Sequence, residues 1–134
     1  MGPCKLAPAL LAVLLAGCSG ESPADAPAAV DRGEKIYLQN CVPCHREDGT
    51  GVPTVYPSLA HSTVVNGDPK ALAQWVLSGK RPPSMPSGRY ATQMLLFGWM
   101  KDEDAAALLS YVRAHFGNQS PPVTAASVSE ARKP

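Results

Sequence analysis

"CVPCH", residues 41–45, sets two thiols two residues apart and places an imidazole directly after the second. Cysteines at that spacing fit three chemistries: a redox dithiol, half of a tetrahedral zinc site, or a pair of covalent anchors. A redox dithiol has no use for His45 in that position. Zinc needs two further Cys or His ligands at suitable spacing, and His61 and His115 offer no paired motif. Cys-x-x-Cys-His is the pattern that covalent attachment of c-type haem requires. The thiols of Cys41 and Cys44 add to the two vinyl groups on one porphyrin edge, and the two-residue gap sets that reach. His45 then swings under the ring to bind iron from the proximal side. The expected cofactor is one covalently bound haem c.

Iron held by His45 alone would be five-coordinate and open to small molecules. A methionine thioether closes the other side and raises the reduction potential, a combination suited to electron transfer. Of four methionines, Met1 falls in the leader, leaving Met85, Met94 and Met100 as candidates. A buried methionine is more often packing than ligand, so residue type alone does not choose among them. His61 and an open distal side are the other readings, while His115 falls inside the last helix.

The surrounding chain narrows the choice. "DRGEKIYLQNCVPCHREDGTG" resembles the N-terminal helix and haem-binding turn of class I (monohaem) cytochromes c, and the resemblance runs from about Asp31 to Asn118. It implies an all-α cytochrome c fold, three or more helices around one haem, with the first and last helices crossing. It places Gly33 and Tyr37 on the face that meets the last helix. "PSL" gives the Pro57 carbonyl to the Nδ1–H of the proximal histidine and packs Leu59 on the haem; Pro53 is the alternative, and a plain turn role for Pro57 is another. "YATQMLLFGWMKDED" matches the register of lipoprotein and dehydrogenase-associated members, with Met94 as sixth ligand and Phe97-Gly98 behind it. Leu95 stands where that family usually has proline. "SMPSG" carries the Met-Pro pair common around family ligands and makes Met85 the alternative, whereas Met100 aligns with a core leucine.

The elements that must position these residues are also marked. Asp31 suits an N-cap for a helix running to Asn40. "NGDPKALAQWVLSGK" reads as a capped helix: Asp68 at N-cap, Pro69 at N1, Leu72, Trp75 and Val76 on one face, and Gly79 as the stop. A last helix begins near Asp102, with Ala105, Leu108, Leu109, Val112 and Phe116 at helical spacing and Gly117 ending it. Asp102, Glu103 and Asp104 suit its positive N-terminus rather than acting as a catalytic carboxylate pair. Between the motif and the middle helix, Gly49, Gly51, Pro53 and Pro57 constrain an irregular loop.

Outside residues 31–118 the composition changes. Residues 1–17 read as a signal peptide, with Lys5 ahead of the short apolar run "LAPALLAVLLAG". "LAGC" resembles the lipobox of bacterial lipoproteins, which makes Cys18 the lipidation site and residues 18–30 a flexible Pro/Ala-rich tether. Ordinary signal cleavage is the alternative. Residues 119–134 form a polar C-terminal tail with one short turn docking on the domain. Loss of Lys5 takes Lys+Arg from 12 to 11 against Asp+Glu 11, a neutral balance that argues against nucleic-acid binding.

These readings converge on a one-electron carrier on the periplasmic side of a bacterial membrane, lipid-anchored or else soluble, shuttling between a redox donor and acceptor. It performs no substrate chemistry and is not an enzyme. Lys80, Arg81, Arg89 and Lys101 surround the Met94 segment, as a basic docking rim or simply a solvated face. One alternative is the cytochrome subunit of a membrane dehydrogenase or respiratory complex. Another, of a different class, is a haem-based ligand sensor with an open distal site.

Overall fold

The computed structural model describes residues 25–85 and 88–134 of the 134-residue chain. The expected signal peptide, Cys18 and the first part of the tether lie outside the described residues. Among the described residues five helices follow in order: α1 (Asp25–Asn40), α2 (Val42–His45), α3 (Pro69–Ser78), α4 (Asp102–Ala114) and α5 (Ala125–Ala131). The described residues contain no strand, only an isolated antiparallel bridge between Val52 and Tyr56. The fold is all-α, as the motifs imply.

The first and last long helices, α1 and α4, cross at Gly33. A Cβ built on Gly33 would lie 2.2 Å from the Ala107 carbonyl oxygen and 2.8 Å from Tyr111 Cβ, so the crossing needs a residue with no side chain. One turn on, Tyr37 is fully buried and its ring stacks tilted on Tyr111, centroids 5.6 Å apart. On the rim of the same crossing, Arg32 Nε donates to Asp104 Oδ1 at 2.6 Å. The Gly33/Tyr37 face thus meets α4, and Ala105, Leu108, Leu109 and Val112 supply its buried stripe.

The ends of α3 follow the sequence. Asp68 accepts from the Lys70 amide at 3.0 Å, Pro69 opens the first turn, and Gly79 closes it in the left-handed region at φ 75°. Leu72 and Val76 are buried, with Trp75 partly so.

Two boundaries differ from expectation. Asp31 is not an N-cap: α1 begins at Asp25, because the alanine-rich stretch "DAPAAV" propagates helix well and Pro27 falls in the first turn, where its missing N–H costs no intrahelical bond. Residues 25–30 of the expected tether are therefore helical. Nor does α4 run to Gly117. It ends at Ala114, His115 is extended, and Phe116 and Gly117 both take positive φ (57° and 73°). That reversal turns the Phe116 ring back against Tyr37, centroids 5.0 Å apart. A helical continuation would carry the ring away from this aromatic cluster.

Residues 119–134 pack on the rest of the molecule. Thr124 caps α5 by accepting from the Ser127 amide at 3.1 Å, and Val123, Val128 and Ala131 are buried where α5 meets α3 and α4. Ser110 of α4 donates to the Val123 carbonyl and accepts from the Val123 amide, at 3.1 and 2.9 Å. Val123 thereby enters α5 held on both sides.

Candidate haem site

The Cys41 amide donates to the Tyr37 carbonyl at 2.8 Å, and the Cys44 and His45 amides return to the Cys41 carbonyl at 3.2 and 2.8 Å. The backbone therefore passes from α1 into α2 almost without interruption. Three residues apart on helical backbone, Cys41 and Cys44 share one side. Both are free thiols, Cys41 buried and Cys44 partly so. Tyr37 helps to brace this turn from within: its hydroxyl donates to the Arg46 carbonyl at 2.6 Å.

His45 is 6% exposed. Its Nδ1 lies 2.9 Å from the Pro57 carbonyl, which can only accept, so Nδ1 carries the proton. Nε2 keeps its lone pair and has no hydrogen-bond partner among the described residues. Burial lowers the pKa of His45 more than the Pro57 bond raises it, which keeps the ring neutral, the form that binds metal. Burial also pushes the Cys41 thiol up to about 12, with Cys44 adding to the shift.

The Pro57 carbonyl reaches His45 through a tight loop. The Gly51 amide donates to the His45 carbonyl at 3.0 Å, the Leu59 amide to the Gly49 carbonyl at 2.7 Å, and Val52 and Tyr56 exchange two bonds. A Cβ on Gly51 would lie 2.5 Å from both the Tyr56 and Pro57 oxygens, and φ there is +66°. Only glycine lets the strand of chain carrying Pro57 come so close. Pro53 plays a different part, its carbonyl accepting from its neighbour Thr54 at 2.6 Å.

The methionines occupy three distinct settings. Met100 is 4% exposed, inside the core. Met94 is half-buried and packs against that core from outside, as do Leu59, Val64 and Trp75. Met85 is half-buried in a turn closed by its amide on the Pro82 carbonyl at 3.0 Å. The Ala91 amide donates to the Thr54 carbonyl at 3.2 Å, tying the Met94 segment to the loop that carries Pro57. His61 is exposed, with its ring against Gly117. His115 is engaged elsewhere, its Nδ1 2.7 Å from the Tyr111 carbonyl and its ring stacked on Tyr111 at 4.0 Å.

The donor set fits haem c. It comprises two unpaired thiols, a buried imidazole with one ring nitrogen free, and the half-buried thioethers of Met85 and Met94. A tetrahedral zinc site fits less well, because among the described residues no three His, Cys, Asp or Glu side chains are grouped to hold a metal ion.

Two residues that no local motif marks fix the loop that carries this chemistry. Asn118 is 2% exposed; its Nδ2 donates to the Leu59 and Val112 carbonyls at 2.9 and 3.0 Å. Its Oδ1 accepts from the Ser62 amide and Asn66 Nδ2 at 3.1 and 2.8 Å. Arg113, 3% exposed, donates from Nη1 to Val65 and Gly67 carbonyls at 2.6 and 2.9 Å and from Nε to Pro121 at 2.9 Å. Burial lowers its pKa, though far too little to discharge a guanidinium. The available signal was position: Arg113 follows Leu109 by four residues, on the buried side of α4.

Residues 30–115 match the family model described as Cytochrome c. The chain is 36% identical over 97 residues to the cytochrome c subunit of a quinone alcohol dehydrogenase from Gluconobacter oxydans, covering 71% of this chain and 20% of that protein. It is 31% identical to the cytochrome c subunit of gluconate 2-dehydrogenase from Pantoea cypripedii, covering 75% and 24%. Cytochrome c-552 of Thermus thermophilus is 32% identical over 92% of this chain and 84% of its own length. The chain thus spans about a fifth to a quarter of the dehydrogenase subunits it matches, but most of the small cytochrome. The chain belongs to the cytochrome c family, with an all-α fold and one covalently bound haem c.

Proposed function

We propose that Cys41 and Cys44 would anchor the haem, that His45 Nε2 and the Met94 sulfur would bind its iron, and that the chain carries single electrons between redox proteins on the periplasmic side of a bacterial membrane. The observation that carries this reading is His45: one ring nitrogen is committed to Pro57 and the other is left for a metal. When bound, haem c supplies a reversible Fe(III)/Fe(II) couple. The chain's residues do the rest. The Pro57 bond fixes the imidazole plane and raises its basicity as a ligand. The Met94 thioether is a soft donor that favours the reduced state, and Leu59, Val64 and Trp75 keep water from that side. Lys80, Arg89 and Lys101 are exposed and give a basic border to an acidic partner surface.

Attachment through a lipidated Cys18 belongs to this proposal. No helix among the described residues is long and apolar enough to cross a membrane. A subunit role in a membrane dehydrogenase is the second reading, favoured by the relatives that carry such names. Co-purification with a large redox partner would select it, whereas migration alone selects the free carrier.

The test is a pair of absorption spectra, oxidised and reduced, with an intact mass, on protein made alongside haem-attachment machinery. Expected are covalent haem, a Met-to-Fe(III) charge-transfer band and resistance of the ferrous protein to CO. Met94→Ala should lower the potential and admit CO; if Met85→Ala does so instead, the ligand assignment is wrong. Prompt CO binding by the unaltered protein would select the sensor reading. A colourless protein of bare polypeptide mass would overturn the whole proposal.

A further inference from the structure

Arg132 closes the C-terminal end of α5, outside residues 30–115 that match the family. Its guanidinium joins three elements. Nε donates to Asp102 Oδ1 at 2.6 Å, Nη1 donates to the Gly98 carbonyl at 2.9 Å, and Nη2 donates to the Met100 carbonyl. Two of these acceptors lie four and six residues beyond Met94. The ion pair with Asp102 is about a third exposed on both sides, where such pairs contribute little by themselves. What the group offers is geometry: a planar fork with several fixed donors, which a lysine cannot reproduce.

The segment it holds is the downstream support of Met94. Phe97 is 6% exposed and its amide donates to the Val76 carbonyl at 3.0 Å. Next comes Gly98, exposed and without the side chain that would restrict its backbone; its Cα approaches the Leu77 carbonyl closely enough that a Cβ would sit 3.0 Å away. Upstream support is thinner. Among the described residues, the Ala91–Thr54 bond is the backbone hydrogen bond that ties residues 88–96 back to the fold, beside packing of Met94 on the core and of Leu96 at Gly79. Leu95 and Leu96 are exposed. The position of Met94 therefore depends in part on the stretch from Phe97 to Met100, and Arg132 grips the carbonyl of the glycine within it.

We propose that Arg132 is a positioning residue for the sixth-ligand segment: by fixing the Gly98 and Met100 carbonyls from α5, it keeps the Met94 thioether within reach of the iron. The inference rests on Met94 being the ligand. It gives the C-terminal extension a part in closing the distal side.

The test uses haem-loaded protein and four variants: Arg132→Ala, Arg132→Lys, Ser110→Ala and Met94→Ala. Ser110→Ala loosens α5 at Val123 and touches neither carbonyl. Readouts are the charge-transfer band, the rate of CO binding to the ferrous form, the alkaline pH at which the band disappears, and the melting temperature. Arg132→Ala should raise the open fraction, and with it the CO rate, roughly tenfold, as loss of charged hydrogen bonds implies. The band should disappear at lower pH, with Arg132→Lys intermediate. Ser110→Ala should lower the melting temperature while leaving band and CO rate unchanged. If Arg132→Ala alters only the melting temperature, or Ser110→Ala opens the iron as far, the inference is overturned. If Met94→Ala abolishes the band and Arg132→Ala leaves it untouched, this inference alone fails. If Met94→Ala leaves the band in place, the ligand reading fails and takes this one with it.

Discussion

Replacing Gly33 with alanine sets two effects of opposite sign against each other. In the middle of α1, alanine should stabilise the helix by about 0.5–1 kcal/mol over glycine. At this crossing, however, the added Cβ would lie 2.2 Å from the Ala107 oxygen, 2.8 Å from its carbonyl carbon and 2.8 Å from Tyr111 Cβ. Two of those atoms are backbone and cannot swing aside. Relief requires the two helices to part by roughly 1 Å, which loosens the Tyr37–Tyr111 packing and the Arg32–Asp104 bond together. Overpacking in a closely packed interior costs about 1–3 kcal/mol and sometimes more; against immovable backbone the upper end applies, about 3–4 kcal/mol, so after the helix gain the net expectation is a loss of about 2–3 kcal/mol. At about 4–8 °C per kcal/mol for a domain near 100 residues, the melting temperature of the haem-loaded protein should fall by roughly 10–20 °C. Far-UV circular dichroism during a thermal scan measures this directly. A variant that melts at or above the parent temperature would show that helix propensity outweighs the contact, and that the crossing is not the rigid junction described.

Arg113→Met should cost about 3 kcal/mol, because it strips donors from carbonyls at Val65, Gly67 and Pro121; denaturant unfolding would show it, and a loss below about 1 kcal/mol would refute the clamp. The double variant Cys41→Ala/Cys44→Ala, purified without haem, should melt at least ~15 °C lower, since a group that binds only the folded chain stabilises it by mass action. Equal melting of the two would deny haem a place in the core. The Thr50 hydroxyl and then its amide hold the Asp48 carboxyl below its usual range. A depressed carboxyl favours the fold above its unfolded pKa and loses that effect as pH falls through the folded value. Thr50→Val should therefore raise the Asp48 pKa and flatten the acid side of the stability curve, and a carboxyl titration followed by NMR that does not move would contradict this.

Much of the architecture was legible because its signals are local. Asp68, Pro69 and Gly79 mark α3 with groups no more than a few residues from the amides and carbonyls they satisfy. The stripe from Ala105 to Val112 needs only the helical period. Other features depend on partners far away in sequence. Arg113 reads as one more solvated cation until the Val65 carbonyl, 48 positions earlier, comes to lie against it. Asn118 follows a helix end like an ordinary polar exit, yet it satisfies chain 52–59 residues away. The reversal at Phe116 could not be foreseen from residue type, since a phenylalanine rarely adopts positive φ; burial of its ring against Tyr37 overrides the local preference. At the N-terminal end of α1 the reverse held, and alanine content outweighed a reading of the segment as tether.

The bond between His45 and Pro57 closes only twelve positions, and the Tyr37–Arg46 contact spans nine, whereas Arg132 reaches back more than thirty to the stretch behind Met94. Short closures form early and at small entropic cost, and long ones wait for the whole chain. If Met94 is the ligand opposite His45, the two sides of the site are completed at different moments. An assembly factor would meet a chain whose thiols and imidazole are already in register, while the opposite face stays uncovered until the last residues have docked.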